Sequence, residues 1–159
     1  MFSETTEAKF KELAETYPQK RSALIPMLIV AQREQGWVTP EAIHYVGDTL
    51  GLSSSDVESV ASFYTMLNLK PVGRNLLLVC TNISCMLCGS DQIESGLKEK
   101  LGIEMGGTTP DQEFTLMEAE CLGSCTTAPV IQVNGEFHEN LNPEMIEQLL
   151  KDIRDKSGA

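Results

Sequence analysis

The chain has 159 residues, 42% of them hydrophobic, and a formal net charge of −11. That length allows one domain, or one domain with a smaller helical appendage, and the apolar content suffices for a real core. The charge divides into 6 bases against 9 acids over residues 1–72 and 6 against 14 over residues 73–159, a balance that opposes binding to nucleic-acid phosphates and to anionic membrane surfaces.

The N-terminal stretch MFSETTEAKFKE is polar and acidic, unlike a secretory signal. The expected compartment is the cytosol, where disulfides are disfavoured, so five cysteines point to metal or redox chemistry. Phe10, Leu13, Ala14 and Tyr17 follow the helical spacing i, i+3, i+4, i+7, and Pro18 ends the pattern. A second helix is expected over Ser22–Gln35, with Pro26 in its first turn and Gly36 as its stop. The apolar run Ala23–Ala31 is too short to span a membrane, and direct membrane insertion is not expected. Thr39-Pro40 reads as an N-cap followed by proline at the first helical position. That helix carries Ile43, Val46 and Leu50 inward and stops at Gly51. Ser53 with Asp56 resembles a capping box, Asp replacing the usual Glu. The helix it opens is expected to bury Val57, Val60, Ala61 and Tyr64. Four short amphipathic helices imply a small bundle. Phe63, Tyr64 and Met66 fit either its core or an apolar surface for a partner subunit.

The period changes near Pro71–Gly73. Asn75–Thr81 reads as a buried strand, Gly89–Leu101 as a helix interrupted by Gly96, and Glu113–Ala119 as an alternating strand. Val130–Val133 and Glu136–His138 flank Asn134-Gly135, a strong hairpin signal. Asn142-Pro143 opens a helix expected to bury Met145, Ile146, Leu149, Leu150 and Ile153. The order is β-α-β-β-β-α. A right-handed crossover makes the first two strands parallel and puts their C-terminal ends at one edge of the sheet.

Two cysteine pairs fall at that edge. Cys80 ends the first strand and Cys85 lies in the loop beyond it, whereas Cys121 and Cys125 follow the second strand. Converging thiolates suit iron–sulfur or zinc. No charged residue occurs from Cys80 to Cys88 or from Cys121 to Asn134. An anionic four-thiolate cluster needs N–H and hydroxyl donors and no nearby carboxylate. Gly123 frees the backbone, and Thr81, Ser84, Ser124, Thr126 and Thr127 offer hydroxyls. Structural zinc favours cysteines with two residues between them, a spacing found at Cys85 and Cys88. Spacing thus favours iron–sulfur and leaves open a zinc-stabilised interaction module or a stand-alone thiol-redox protein.

The stretches SVASFYTML, CTNISC and ECLGSCTTAPVIQVN resemble the small [2Fe–2S] subunit of NADH:quinone oxidoreductase, the 24-kDa or E subunit of respiratory complex I. The resemblance covers nearly the whole chain. It implies an α+β protein: a helical bundle over residues 1–72, then a thioredoxin-like [2Fe–2S] ferredoxin domain over residues 73–159. It assigns Cys80, Cys85, Cys121 and Cys125 as ligands of a [2Fe–2S] cluster. It also places FMN and NADH on a neighbouring flavoprotein subunit, with a further iron–sulfur subunit beyond, in the cytoplasmic peripheral arm of a membrane-associated complex. Similar subunits occur in NAD-linked hydrogenases and formate dehydrogenases. Cys88 departs from the family pattern and reads as a small residue, a spare ligand or a redox-sensitive thiol.

The helices at 40–50 and 54–66 could suggest a helix-turn-helix, but no Lys or Arg occurs between Arg33 and Lys70. His44 and His138 lack metal-ligand spacing, and Gly106-Gly107 is no nucleotide fingerprint. A chain without a flavin or nicotinamide motif needs a partner that has one. Plant-type [2Fe–2S] clusters work near about −400 mV, a range suited to exchange with nicotinamides.

Overall fold

Ser3, Thr39 and Ser53 each open a helix in the computed structural model, which describes residues 2–157. Their hydroxyls accept from the N–H groups of Thr6, Ala42 and Asp56, which helix geometry leaves without intrahelical partners. The helices are α1 (Glu4–Thr16), α2 (Leu24–Gln35), α3 (Pro40–Leu50) and α4 (Ser54–Phe63). A 3-10 turn, Lys20–Ala23, takes the place of the expected first turn of α2. Gly36 and Gly51 end α2 and α3 with φ of 82° and 69°, the left-handed stop that glycine supplies without strain. The capping box at Ser53 is modified: the Asp56 carboxylate accepts from the Ser53 hydroxyl at 2.5 Å.

These helices belong to a compact unit that ends at Pro71. Its core gathers Phe10, Met27, Leu28, Val38, Val46 and Val57. Phe2 meets Phe10 and Tyr45 edge-on, with centroids 5.0 and 5.2 Å apart. Tyr64 does not join this core. Helix α4 stops at Phe63, and Tyr64 follows in extended conformation, out of step with Val57 and Ala61. Phe63, Tyr64 and Met66 are exposed by 77%, 38% and 60%. Gln32 holds the segment beyond them, accepting from the Asn68 N–H and donating to the Met66 carbonyl.

A second unit begins at Val72. Its sheet has the order β2-β1-β3-β4, from β1 (Asn75–Cys80), β2 (Phe114–Ala119), β3 (Ile131–Val133) and β4 (Glu136–His138). Strands β1 and β2 run parallel, in register from Asn75 with Phe114 to Cys80 with Ala119. Strand β3 is antiparallel to β1 and forms a hairpin with β4. Asn134 and Gly135 turn that hairpin with φ of 50° and 95°, the left-handed pair whose twist matches the strands.

Strand β2 does not alternate as expected: Phe114, Thr115 and Leu116 are all buried. Thr115 tolerates burial because its hydroxyl accepts from the Gly73 N–H at 2.6 Å and pairs with the Thr108 hydroxyl at 2.7 Å. The connection between β1 and β2 holds two helices, α5 (Ile83–Leu87) and α6 (Ser90–Leu101). Helix α6 packs on β1, β2 and α7 (Ile146–Ser157). Gly96 is explained by that packing, since a Cβ there would lie 2.5 Å from Ile146 Cδ1. Met145 is expected inside, but it ends a 3-10 turn (Pro143–Met145) ahead of α7 and is 43% exposed. Ile146, Leu149, Leu150 and Ile153 supply the buried face and close the core with Leu77, Val79, Ile93, Leu97 and Ile131.

Candidate metal centre

Strand β1 delivers Cys80 to the edge of the sheet, opposite Ala119. Its N–H bonds the Val130 carbonyl at 3.2 Å, and the Thr81 N–H bonds the Ala119 carbonyl at 3.1 Å. Asn82 then caps α5 by accepting the Ile83 N–H at 2.9 Å. The expected loop is thus partly a one-turn helix, and Cys85 lies on its buried side. Cys80, Cys85 and Val130 form a small buried group lined by Leu122 and Ala128. Cys88 caps the C-terminal end of α5, bonding the Ser84 and Cys85 carbonyls through its N–H, and its side chain is exposed.

The two inner thiols differ in their electrostatics. Burial works to raise Cys80. The N–H groups of Asn82 and Leu122 and the Cys85 thiol donate to its sulfur and carry it below the ordinary range of a free thiol. Burial, the hydrogen bond given to Cys80 and the nearby Cys80 and Cys125 sulfurs push Cys85 up to about 11, against an opposing N–H from Val130. A sulfur accepting backbone N–H groups is prepared to carry thiolate charge. The bond from the Cys80 N–H to the Val130 carbonyl also ties the second cysteine loop onto a cysteine of the first.

That second loop turns at Gly123, with φ of 78°, and passes into a 3-10 turn, Cys125–Thr127. Cys121 and Cys125 are exposed. The Ala128–Pro129 peptide that follows is cis. The structure therefore brings Cys80 and Cys85 into contact and Cys125 within electrostatic reach of Cys85. It does not draw Cys121 into the buried group. Among the described residues, no three His, Cys, Asp or Glu side chains stand ready to hold a metal ion. A two-iron cluster spreads its four thiolates two per iron, whereas a zinc ion needs them around one point. The donor set fits the cluster: thiol sulfurs on two loops whose own residues carry no charge, with Cys80 and Cys85 buried together at the end of β1. The remaining sequence candidates, His44 and His138, lie elsewhere: His44 Nδ1 is 2.7 Å from the Ser54 hydroxyl, and His138 is in β4.

Two features escape a reading of the sequence. One is α5, too short to show a period. The other is Glu139, which enters the surroundings of the uncharged loop from beyond the hairpin. Its carboxylate accepts from the Ser124 hydroxyl and, at 2.6 Å, from the Thr127 hydroxyl. The bonds from Ser124 and then Thr127 hold the carboxyl below its usual range, against desolvation. These hydroxyls, expected to face a cluster, serve a carboxylate instead. No short-range signal marks a contact made across 15 residues for Ser124 and 12 for Thr127.

The family model of the thioredoxin-like [2Fe–2S] ferredoxins matches residues 10–154. The E subunit of NADH-quinone oxidoreductase from Rickettsia bellii is 46% identical over 147 residues, covering 91% of this chain and 88% of that protein. The E 2 subunit of the same oxidoreductase from Rhizobium meliloti is 41% identical over 150 residues, covering 94% of this chain and 89% of that protein. The Mycobacterium bovis counterpart is 43% identical over 148 residues, 93% of this chain and 59% of that longer protein. Among solved structures, an NAD+-reducing [NiFe]-hydrogenase in the air-oxidized state superposes with a TM-score of 0.75 at 20% identity. The match covers 84% of this chain and 23% of that one and bears on the fold alone. The parallel β1–β2 pair with its cysteine loops, the matched family model and these relatives together make the chain a member of the thioredoxin-like [2Fe–2S] ferredoxin family, in the branch of NADH-quinone oxidoreductase E subunits.

Proposed function

We propose that the chain is the electron-transfer iron–sulfur subunit of an NADH:quinone oxidoreductase, with Cys80, Cys85, Cys121 and Cys125 as ligands of its [2Fe–2S] cluster. The observation that carries this reading is the meeting of the two cysteine loops at the end of β1, where Cys80 and Cys85 are buried against Val130, Leu122 and Ala128 of the second loop. The Cys80 N–H bonds the Val130 carbonyl and the Thr81 N–H bonds the Ala119 carbonyl, so the backbone joins the start of the first loop to both ends of the second beside the buried sulfurs. When bound, the cluster supplies one-electron exchange at a low potential. The chain's own residues hold the sulfurs, offer N–H groups to their negative charge and leave the cysteine loops without charged side chains of their own. Burial of Cys80 and Cys85 withholds that side from water, while the exposed Cys121 and Cys125 leave the other side open to an exchange partner.

No flavin or nicotinamide motif occurs in the sequence, so in this reading FMN and NADH sit on a neighbouring flavoprotein subunit, with a further iron–sulfur subunit carrying electrons onward. Ile83, Met86 and Leu87 support such docking: they are exposed by 63%, 55% and 79% on the helix that carries Cys85. Phe63 and Met66 offer a second apolar surface on the first unit. Among the described residues, no helix is long and apolar enough to cross a membrane. A place in the cytoplasmic peripheral arm of a membrane-associated complex agrees with that.

Tagging the chain in its native source and identifying what is purified with it tests the assignment. The expected companions are an NADH-oxidising flavoprotein and quinone-reducing activity. A hydrogenase or formate dehydrogenase in their place would move the chain to the equivalent position in that enzyme. Recovery of the chain alone, with disulfide-exchange activity, would contradict the proposal.

A further inference from the structure

Glu139 occupies an unusual position for a carboxylate. The loop of Cys121 and Cys125 contains no charged residue of its own. Yet Glu139 reaches the residues on either side of Cys125 and Thr126, accepting from Ser124 and Thr127 through the same oxygen, Oε1. The two hydroxyls also lie 2.9 Å from each other, so carboxylate and hydroxyls form a closed triangle. The next two residues extend the contact along the backbone. The Asn140 N–H bonds the Thr127 carbonyl at 2.7 Å, and the Leu141 N–H bonds the Pro129 carbonyl at 3.2 Å. Leu141 is buried and anchors this short strap in the second core.

The strap has two physical consequences. It fixes the 3-10 turn that begins at Cys125, a turn with no side-chain cap on its N-terminal end. It also sets a full negative charge against a loop whose own side chains are neutral. Carboxylate–hydroxyl hydrogen bonds of this kind are stronger than neutral ones, and they orient both hydroxyl protons toward Glu139. Net charge and hydrogen bonding around an iron–sulfur site set its potential, and an adjacent anion opposes the arrival of an electron.

We infer that Glu139 is a positioning residue for the Cys125 loop and that its charge lowers the reduction potential of the group bound there. This inference rests on the reading that the four cysteines hold a [2Fe–2S] cluster. The test uses the full chain isolated with its cluster. The wild type, Glu139→Ala and Glu139→Gln are compared in two measurements: the potential, from a redox titration followed by paramagnetic resonance, and the rate of iron release to an excess of chelator. Both variants should titrate at a higher potential than the wild type. Glu139→Ala, which removes charge and acceptor together, should release iron several-fold faster. Glu139→Gln, which keeps an acceptor oxygen, should fall between the two in release rate, and it provides the comparison if Glu139→Ala folds poorly. A wild-type potential, or a wild-type release rate, in a folded variant overturns the inference. A wild-type chain that binds no iron or sulfide overturns the cluster reading itself, so the two failures are distinct.

Discussion

Cys88 separates ligand chemistry from mere proximity. It lies three residues beyond Cys85, its side chain is exposed, and its N–H is committed to closing α5. Each of Cys80, Cys85, Cys121 and Cys125 would fill one of two protein positions on an iron, so alanine at any of them should empty the site or make it labile. Cys88→Ala should leave the visible spectrum and the iron content nearly unchanged. Cys88 could also swing inward when Cys85 is absent, and then only the Cys85→Ala, Cys88→Ala double variant would lose the cluster. Iron content and the paramagnetic signal of the reduced protein in all five single variants check the assignment. An empty site in Cys88→Ala beside a native one in Cys85→Ala would contradict it. The cysteine pairs themselves are plain in the sequence because one begins at the last residue of a strand of recognisable pattern and the other just after such a strand. The N–H donors of Leu122 and Val130 are not, because their direction depends on how the loops fold back. The Thr109 hydroxyl, at 2.5 Å, and then the Glu113 N–H, at 3.0 Å, hold the Asp111 carboxyl below its ordinary value, with burial opposing. A lowered folded-state value means stability that is present above the unfolded value and lost as pH falls through the folded one. Asp111→Ala should therefore unfold at lower denaturant than the wild type at neutral pH. The two midpoints should converge as acid titrates the carboxyl, and a gap that stays constant through the whole acid range would refute this.

At the scale of elements, caps and turns are the legible part. Thr39-Pro40, Ser53, Asn134-Gly135 and Asn142-Pro143 each mark a boundary that the structure keeps, because the signal lies within a turn of its effect. Side-chain direction at element ends is less legible. Tyr64 and Met145 each continue a helical series on paper, yet one lies past the last turn of α4 and the other in a 3-10 turn, where the angle per residue changes. The glycines Gly73 and Gly96 record contacts made at a distance. A Cβ at Gly73 would lie 2.8 and 2.9 Å from the Phe114 backbone, which cannot yield as a side chain can. Gly73→Ala should therefore destabilise the second unit by about 1–3 kcal/mol, the usual cost of overpacking. Gly96→Ala should cost less, because the clash is with the tip of Ile146 and alanine regains up to about 1 kcal/mol of helix propensity. Chemical denaturation of both variants measures the difference, and a Gly73→Ala chain as stable as the wild type would contradict the close approach.

For the whole molecule, both cysteine pairs lie in the unit that begins at Val72. We propose that residues 73–159 form a domain able to assemble the cluster alone, with residues 1–72 contributing to docking. Residues 73–159 expressed alone should bind iron and sulfide. A fragment that folds but takes up no iron would show that the helical unit is needed for assembly. The sequence conveys the change from helical to mixed structure through its period. It does not convey which apolar residues stay on the surface, since Phe63 fits core and surface equally until the end of α4 is placed. Metal analysis tests whether two cysteine pairs at the ends of parallel strands hold a two-iron cluster for electron transfer. Protein purified without oxygen from iron-replete cells should carry about two irons and two acid-labile sulfides per chain. Stoichiometric zinc and no visible absorbance under the same conditions would contradict the account.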